Sequence, residues 1–71
     1  MKTRAKFVCT DVKTTEEGSD VEFYPVVDGS EENESFFKYT PSGKIIMGIV
    51  NPNIKFEKSK EYYVDFTEVI N

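Results

Sequence analysis

The sequence predicts a mainly β (α+β) domain: a small twisted antiparallel sheet or partly closed barrel, with four to five strands and one short helix. Two observations support this class. Four segments alternate apolar and other residues with the period of two that strands require, and turn-forming residues separate them. One segment between the second and third strands instead begins with a capping residue followed by acidic residues, which is typical of a helix start.

The first half of the chain predicts a hairpin. Residues 4–12 alternate as the first strand, with one apolar face formed by Ala5, Phe7 and Cys9. The polar, glycine-containing residues 14–20 predict the loop, and residues 21–27 predict the returning strand. Pro25 cannot donate a ladder hydrogen bond, so we expect this strand to lie at a sheet edge or to carry a bulge.

The second half predicts the helix and two further strands. Ser30 is a suitable N-cap for a helix over residues 31–37, and Pro41 prevents that helix from continuing. Residues 44–50, rich in Ile and Val, predict the third strand, and residues 61–69 predict the last.

Length and composition indicate one domain over residues 1–71 that gains stability by self-association. A chain of 71 residues has a thin core, which small proteins supplement with disulfides, metals or oligomerisation. Cys9 is the only cysteine and histidine is absent, so an internal disulfide and Cys/His zinc sites are excluded. Oligomerisation remains, and it would also cover aromatic side chains that so small a core cannot hide.

The same composition argues against an enzyme. Nucleophile–histidine pairs are impossible without histidine, and no Gly-rich phosphate loop of a nucleotide-hydrolysing or dinucleotide-binding enzyme is present. The acidic residues 31–34 fit a solvated helix N-terminus better than a catalytic carboxylate pair. We therefore expect neither catalysis nor a cofactor or metal.

The charge distribution restricts the partners. The net charge is −4; residues 16–34 hold eight acidic and no basic residues, whereas residues 35–60 hold five lysines and one glutamate. Most of this surface would repel duplex DNA, whose binding depends on phosphate neutralisation, but the lysine-bearing part can accept a small anion. No apolar run is long enough for a signal peptide or a membrane span, and one unpaired cysteine fits a reducing cytoplasm.

The segment from residue 33 to residue 48 carries the candidate ligand site. Lys38 offers a point charge to a phosphate, Tyr39 offers a ring for base stacking, and Thr40 and Ser42 add hydroxyl groups around a proline turn. The alternative for Lys38 is a solvated surface residue.

Four further residues complete the predicted ligand site. Phe37 precedes Lys38 in the same segment, and the alternative for it is a core or subunit contact. Arg4 and Lys6 share one strand face, where the Arg4 guanidinium could fork onto a phosphate, while edge-strand protection is the simpler explanation. Asn51 begins an Asn-Pro-Asn sequence that also suits an ordinary turn.

The chain resembles a widespread group of short bacteriophage proteins. The resemblance lies in four blocks: Arg-Ala-Lys-Phe at 4–7, Phe-Phe-Lys-Tyr-Thr-Pro-Ser-Gly at 36–43, Asn-Pro at 51–52 and Lys-Glu-Tyr-Tyr-Val-Asp-Phe-Thr at 60–67. The group is identified as the anti-CBASS sponge family, which sequesters cyclic dinucleotide signals of the bacterial host. The resemblance implies immune evasion in the host cell cytoplasm by a homo-oligomer, a tetramer, that holds its ligand between subunits without cleaving it.

Three other functions are compatible with the sequence. The acidic residues 16–34 could contact a host protein directly or mimic DNA. An OB-like barrel with stacking aromatics could bind single-stranded nucleic acid, although the sequence supplies no basic groove for it. A minor virion component is the third alternative.

Overall fold

The protein is built on one antiparallel sheet of four strands, which confirms the predicted class. The computed structural model describes residues 2–70. Strands β1 (Lys2–Thr14), β2 (Ser19–Pro25), β3 (Ile45–Ile49) and β4 (Glu61–Thr67) lie in the order β3-β2-β1-β4 and curl into a half-barrel. Helix α1 (Glu31–Phe37) connects β2 to β3 and matches the predicted range.

The position of Pro25 differs from the expectation of an edge strand or a bulge. Strand β2 is central, between β3 and β1, and Pro25 is its last residue, opposite Phe7. Because the N–H of Val26 points to β1, the nitrogen of Pro25 points to the β3 side. The β2–β3 ladder already ends at Phe23, so no strand there needs a donor from the proline.

The bulge lies instead in β1, at Thr10. Cys9 pairs with Phe23 and Asp11 pairs with Glu22, so Thr10 is an extra residue without a partner of its own. A bulge of this kind bends the strand and increases its twist. It also changes the alternation, so that Val12 joins the core side after the bulge.

The core lies on the concave face of the half-barrel. Its buried apolar members are Ala5, Phe7 and Cys9, the predicted face of β1, together with Val21 and Phe23 of β2. The connection between β3 and β4 covers one end of this face through Phe56, whose ring packs edge-on against Phe23 and Tyr62 at centroid distances of 5.0 and 5.1 Å. The Tyr62 hydroxyl accepts a hydrogen bond from the Glu57 N–H at 3.0 Å, which holds this connection to β4.

A buried amide joins the helix to the sheet. Asn33, only 1% exposed, inserts its side chain where β1 and β2 separate. Its Oδ1 accepts from the Lys6 N–H at 2.7 Å, and its Nδ2 donates to the carbonyls of Lys6 and Val26 at 2.7 and 2.8 Å. The side chain thus replaces the next peptide of the ladder, and the backbone groups of both strands remain satisfied.

The start of α1 fixes the position of that amide. The Ser30 hydroxyl accepts a hydrogen bond from the Asn33 N–H at 3.2 Å, as an N-cap does for the third helical residue. Three acidic residues, Glu31, Glu32 and Glu34, lie in the first turn, where the helix dipole favours negative charge. Capping and anchoring therefore act on the same residue.

The domain is open and thin. Its principal extents are 39 × 36 × 16 Å, and its accessible surface is 5667 Å². A compact monomer of 8.2 kDa exposes about 4,500 Å². The difference of about 1,100 Å² reflects a half-barrel in which many large apolar side chains remain exposed.

Replacing the buried amide tests its structural role. Asn33→Ala leaves the Lys6 N–H and the Val26 carbonyl without this partner, and each buried group left unpaired costs about 1–3 kcal/mol. We therefore expect urea denaturation to show a loss of at least about 2 kcal/mol in the free energy of unfolding. Asn53→Ala is the matched control, because that side chain is exposed, and it should change little. Equal effects of the two substitutions would contradict this role.

Candidate functional site

A cleft in the described part of the chain lies beside α1. It has a volume of about 560 Å³ and is formed by the turn before the helix, both helix ends and the residues that follow it. Its lining residues are Val27, Asp28, Gly29, Ser30, Asn33, Glu34, Lys38, Tyr39, Thr40 and Pro41. We call it the α1 cleft. Three predicted ligand residues, Lys38, Tyr39 and Thr40, come together here.

Lys38 combines a helix end with a strained backbone. Its N–H donates to the Glu34 carbonyl at 3.0 Å and closes the last turn of α1. Its φ of 71° and ψ of −45° lie in a sparsely populated region for a residue with a side chain. Glycine is the usual residue at such a helix end. A non-glycine residue held in this conformation is an outlier of the kind that concentrates at functional sites.

Tyr39 presents an open aromatic face next to a positive charge. The side chain is 77% exposed, and the Lys38 Nζ lies 5.4 Å from its ring centroid. An exposed ring of this kind is available for stacking with a flat ligand. The adjacent ammonium group can contact an anion carried by that ligand.

The α1 cleft also contains negative charge, which was not part of the predicted site. Asp28 and Glu34 line it, and Gly29 adopts a φ of 73° with open space around its Cα. Carboxylates accept hydrogen bonds from ring and exocyclic N–H groups. The cleft therefore offers a cation, an aromatic face and acceptors together. The acidic run was visible in the sequence: Glu34 lies one helical turn before Lys38, whereas the position of Asp28 in the cleft depends on how α1 packs.

Two residues of the predicted segment lie outside the α1 cleft. Phe37 is half-buried and packs against the core, with its ring centroid 4.8 Å from that of Phe36. Ser42 is exposed but is not among the residues lining the cleft. The structure thus assigns Phe37 to packing and separates Ser42 from its three neighbours.

Arg4 and Lys6 lie on the outer face of β1 and already contact carboxylates. Arg4 donates to both carboxylate oxygens of Asp65, at 2.6 and 3.2 Å, and stacks 4.5 Å from the Tyr63 ring centroid. This hydrogen bond and the charge of Asp65 raise the pKa of Arg4 above its ordinary value.

The Lys6 side chain also lies near carboxylates: its Nζ is 4.0 Å from Oε1 of Glu32 and 4.0 Å from Oε1 of Glu61. Tyr63, between the two cations, was missed because strand register cannot be read from alternation alone.

Asn51 lies outside the α1 cleft, in the connection between β3 and β4. Its Oδ1 accepts a hydrogen bond from the Asn53 N–H at 2.9 Å, which is the geometry of an Asx turn. It lines a second cleft of about 380 Å³ between the β1–β2 hairpin and residues 49–56. The eight predicted residues therefore divide among several places, and only Lys38, Tyr39 and Thr40 share a cleft.

Two features bear on the class of protein. In the described residues, no helix has the length and apolar character needed to cross a membrane. Within residues 2–70, no group of three or more histidine, cysteine or acidic residues is arranged to hold a metal ion.

Comparison with family models, curated proteins and solved structures finds no match to this chain.

Strain at Lys38 predicts an unusual response to glycine. The Lys38→Gly variant should be more stable than the Lys38→Ala variant, with a free energy of unfolding about 1 kcal/mol higher, because glycine accepts positive φ without a steric penalty. Chemical denaturation of the two variants measures the difference. At Lys55, whose φ is not positive, the order should reverse, since glycine there only adds unfolded-state entropy. The same order at both positions would mean that Lys38 is not strained.

Proposed function

We propose that this protein binds a cyclic dinucleotide signal of the CBASS type, such as cyclic GMP-AMP, and withholds it from host effectors without cleaving it. It would act in the host cell cytoplasm as a bacteriophage immune-evasion protein. One observation carries the proposal: Lys38, Tyr39 and Thr40, selected from the sequence for nucleotide chemistry, line one cleft of about 560 Å³. The resemblance of the sequence to anti-CBASS sponges supports it.

The groups in the α1 cleft suit the parts of such a ligand. The Tyr39 ring stacks on a base, and the Lys38 ammonium contacts a phosphate. The Thr40 hydroxyl can donate to a phosphate oxygen or accept from a sugar hydroxyl. Asp28 and Glu34 provide acceptors for the N–H groups on a guanine edge, so the negative charge contributes to base selection.

Sequestration also explains the form of the molecule. A stoichiometric binder needs affinity and no reaction chemistry, and this chain has no histidine to act as a general base. A cyclic dinucleotide has two bases and two phosphates related by near two-fold symmetry, which matches a site formed by two identical subunits. We therefore propose a homo-oligomer, a tetramer, as the functional form.

The geometry favours this function over direct inhibition through an acidic surface. The acidic residues of segment 16–34 divide between the hairpin tip, with Glu16 and Glu17, and the α1 region, with Asp28, Glu31 and Glu34. Strand β2 separates these groups by roughly 20 Å, given about 3.3 Å for each strand residue. Glu22, between them, contacts Lys44 at 3.0 Å. With Asp20 and Glu22 on β2 between the two groups, the acidic residues are spread along the length of the strand and are not gathered at one site.

Thermal unfolding with a panel of cyclic dinucleotides and trinucleotides tests the function. A ligand at 100 times its Kd stabilises a native state by about 2.7 kcal/mol, which for a domain of this size raises Tm by about 10–20 °C. After incubation and heat denaturation, chromatography should recover the ligand intact. No shift with any member of the panel, or recovery of linear products, would contradict the proposal.

Stacking by Tyr39 gives a sharper prediction for the site. Tyr39→Ala should reduce ligand affinity by about 1–3 kcal/mol, the usual value for a base stacked on an aromatic ring. Tyr39→Phe should cost much less because the ring remains. Lys38→Ala should weaken binding and reduce its dependence on salt, since one phosphate contact is lost. Isothermal titration calorimetry measures all three.

The chain provides a matched control for this measurement. Tyr24 is 40% exposed, and the Lys44 Nζ lies 5.5 Å from its ring centroid, so this pair reproduces the Lys38–Tyr39 arrangement on the outer face of the sheet. Tyr24→Ala should leave ligand affinity unchanged. If Tyr24→Ala weakens binding and Tyr39→Ala does not, the ligand lies on the outer face.

A further inference from the structure

Strand β3 is an unprotected edge of the sheet. It pairs only with β2, and alternate residues of an antiparallel edge strand point their N–H and C=O groups away from that single neighbour. In the described chain, no hydrogen bond outside the β2–β3 ladder reaches residues 45–49. These groups are available to a further strand.

The edge also lacks the usual protection against pairing. Natural edge strands carry charged residues, prolines or bulges that prevent other strands from adding. No ionisable residue occurs between Lys44 and Lys55, and Ile46 and Val50 are 64% and 71% exposed. The other edge strand, β4, carries charge at Glu61 and Asp65. The two edges therefore differ, and only β3 is suited to pairing.

We propose that β3 pairs antiparallel with β3 of a second copy of this chain about a two-fold axis at Met47. Facing residues of an antiparallel pair lie on the same sheet face, so the permitted registers join odd-numbered to odd-numbered residues. Centring on Met47 is the register that pairs all five residues of β3. Ile45 lies opposite Ile49 of the partner subunit, and Ile46 lies opposite Gly48 of the partner subunit. The product is a continuous eight-stranded sheet.

Both faces of this junction are complementary. On the concave face, Met47 meets its symmetry equivalent, Ile45 meets Ile49 of the partner subunit, and these contacts extend the apolar core across the axis. On the outer face, each Ile46 lies over a glycine, which leaves space for its side chain. No like charges meet, because the nearest charged residue, Lys44, lies opposite Val50 of the partner subunit.

The surface of the monomer is large enough for this assembly. A standard interface covers about 800 Å² on each partner. The domain exposes about 1,100 Å² more than a compact chain of its mass, so enough surface is available for an interface of that size. The pairing supplies one of the contacts from which the proposed oligomer is built, but it does not depend on ligand binding.

Charge placed on this edge tests the inference. A side chain at Gly48 fits the monomer, because a Cβ there meets only the Asp20 carboxylate, at 3.4 Å. Gly48→Lys and Ile46→Lys should therefore keep the fold, measured by circular dichroism. Both should raise the dissociation constant of the dimer by about tenfold or more in sedimentation equilibrium. Val69→Lys adds the same charge at an exposed apolar residue beyond β4 and should not change assembly.

Cross-linking tests the register directly. Met47→Cys places two thiols next to the axis, so mild oxidation should give a covalent dimer in high yield. Thr67→Cys, on the opposite edge strand, should not give one. The native Cys9 is buried and stays out of the reaction.

The outcomes separate this inference from the proposed function. A parent protein that is monomeric at micromolar concentration, folded edge variants that assemble as the parent does, or failure of Met47→Cys to cross-link would each overturn the pairing. Titration of the Gly48→Lys variant with cyclic GMP-AMP measures ligand binding independently of dimer formation. Loss of the dimer as described, in a protein that binds no cyclic nucleotide in any form, would support the pairing and reject the function.

Discussion

The buried Asn33 amide is the interaction on which the architecture depends. It lies where β1 and β2 separate, and it satisfies the Lys6 N–H and the Val26 carbonyl that a continuing ladder would have paired. The strands can therefore diverge without leaving buried polar groups unpaired. Because the same residue is held by the Ser30 cap, α1 is fixed to the sheet at its first turn. The α1 cleft is a consequence of this attachment, since both helix ends form its walls.

The openness of the half-barrel sets the balance between stability and recognition. Five apolar side chains form the buried core, and the candidate ligand residues lie outside it on the helix end and the following turn. Binding groups in such positions can change without loss of the core. The exposed β3 edge and the exposed Tyr39 ring follow from the same thin construction.

The sequence predicted the elements well because each depends on local chemistry. The alternation that placed Ala5, Phe7 and Cys9 on one face, and the Ser30 cap before residues 31–37, both appear in the structure. Strand order was not predictable, so Pro25 was expected at an edge although its strand is central. The role of Asn33 was also hidden, because an asparagine in a polar run gives no sign of burial. For the site, neighbours in sequence came together, and of the two carboxylates in the cleft only Asp28 depends on packing for its position.

The bulge at Thr10 makes the curvature of the sheet depend on a single codon. Cys9 and Val12 both face the core, with one outward residue, Asp11, and the extra Thr10 between them. Deleting Thr10 would therefore restore a regular strand and leave every other side chain of β1 on its present face. The pairing of β1 with β4 spans only residues 2–8 and would be unaffected. Evolution could thus flatten or curl this sheet by a one-residue deletion or insertion, changing the shape of the domain without changing its pattern of apolar residues.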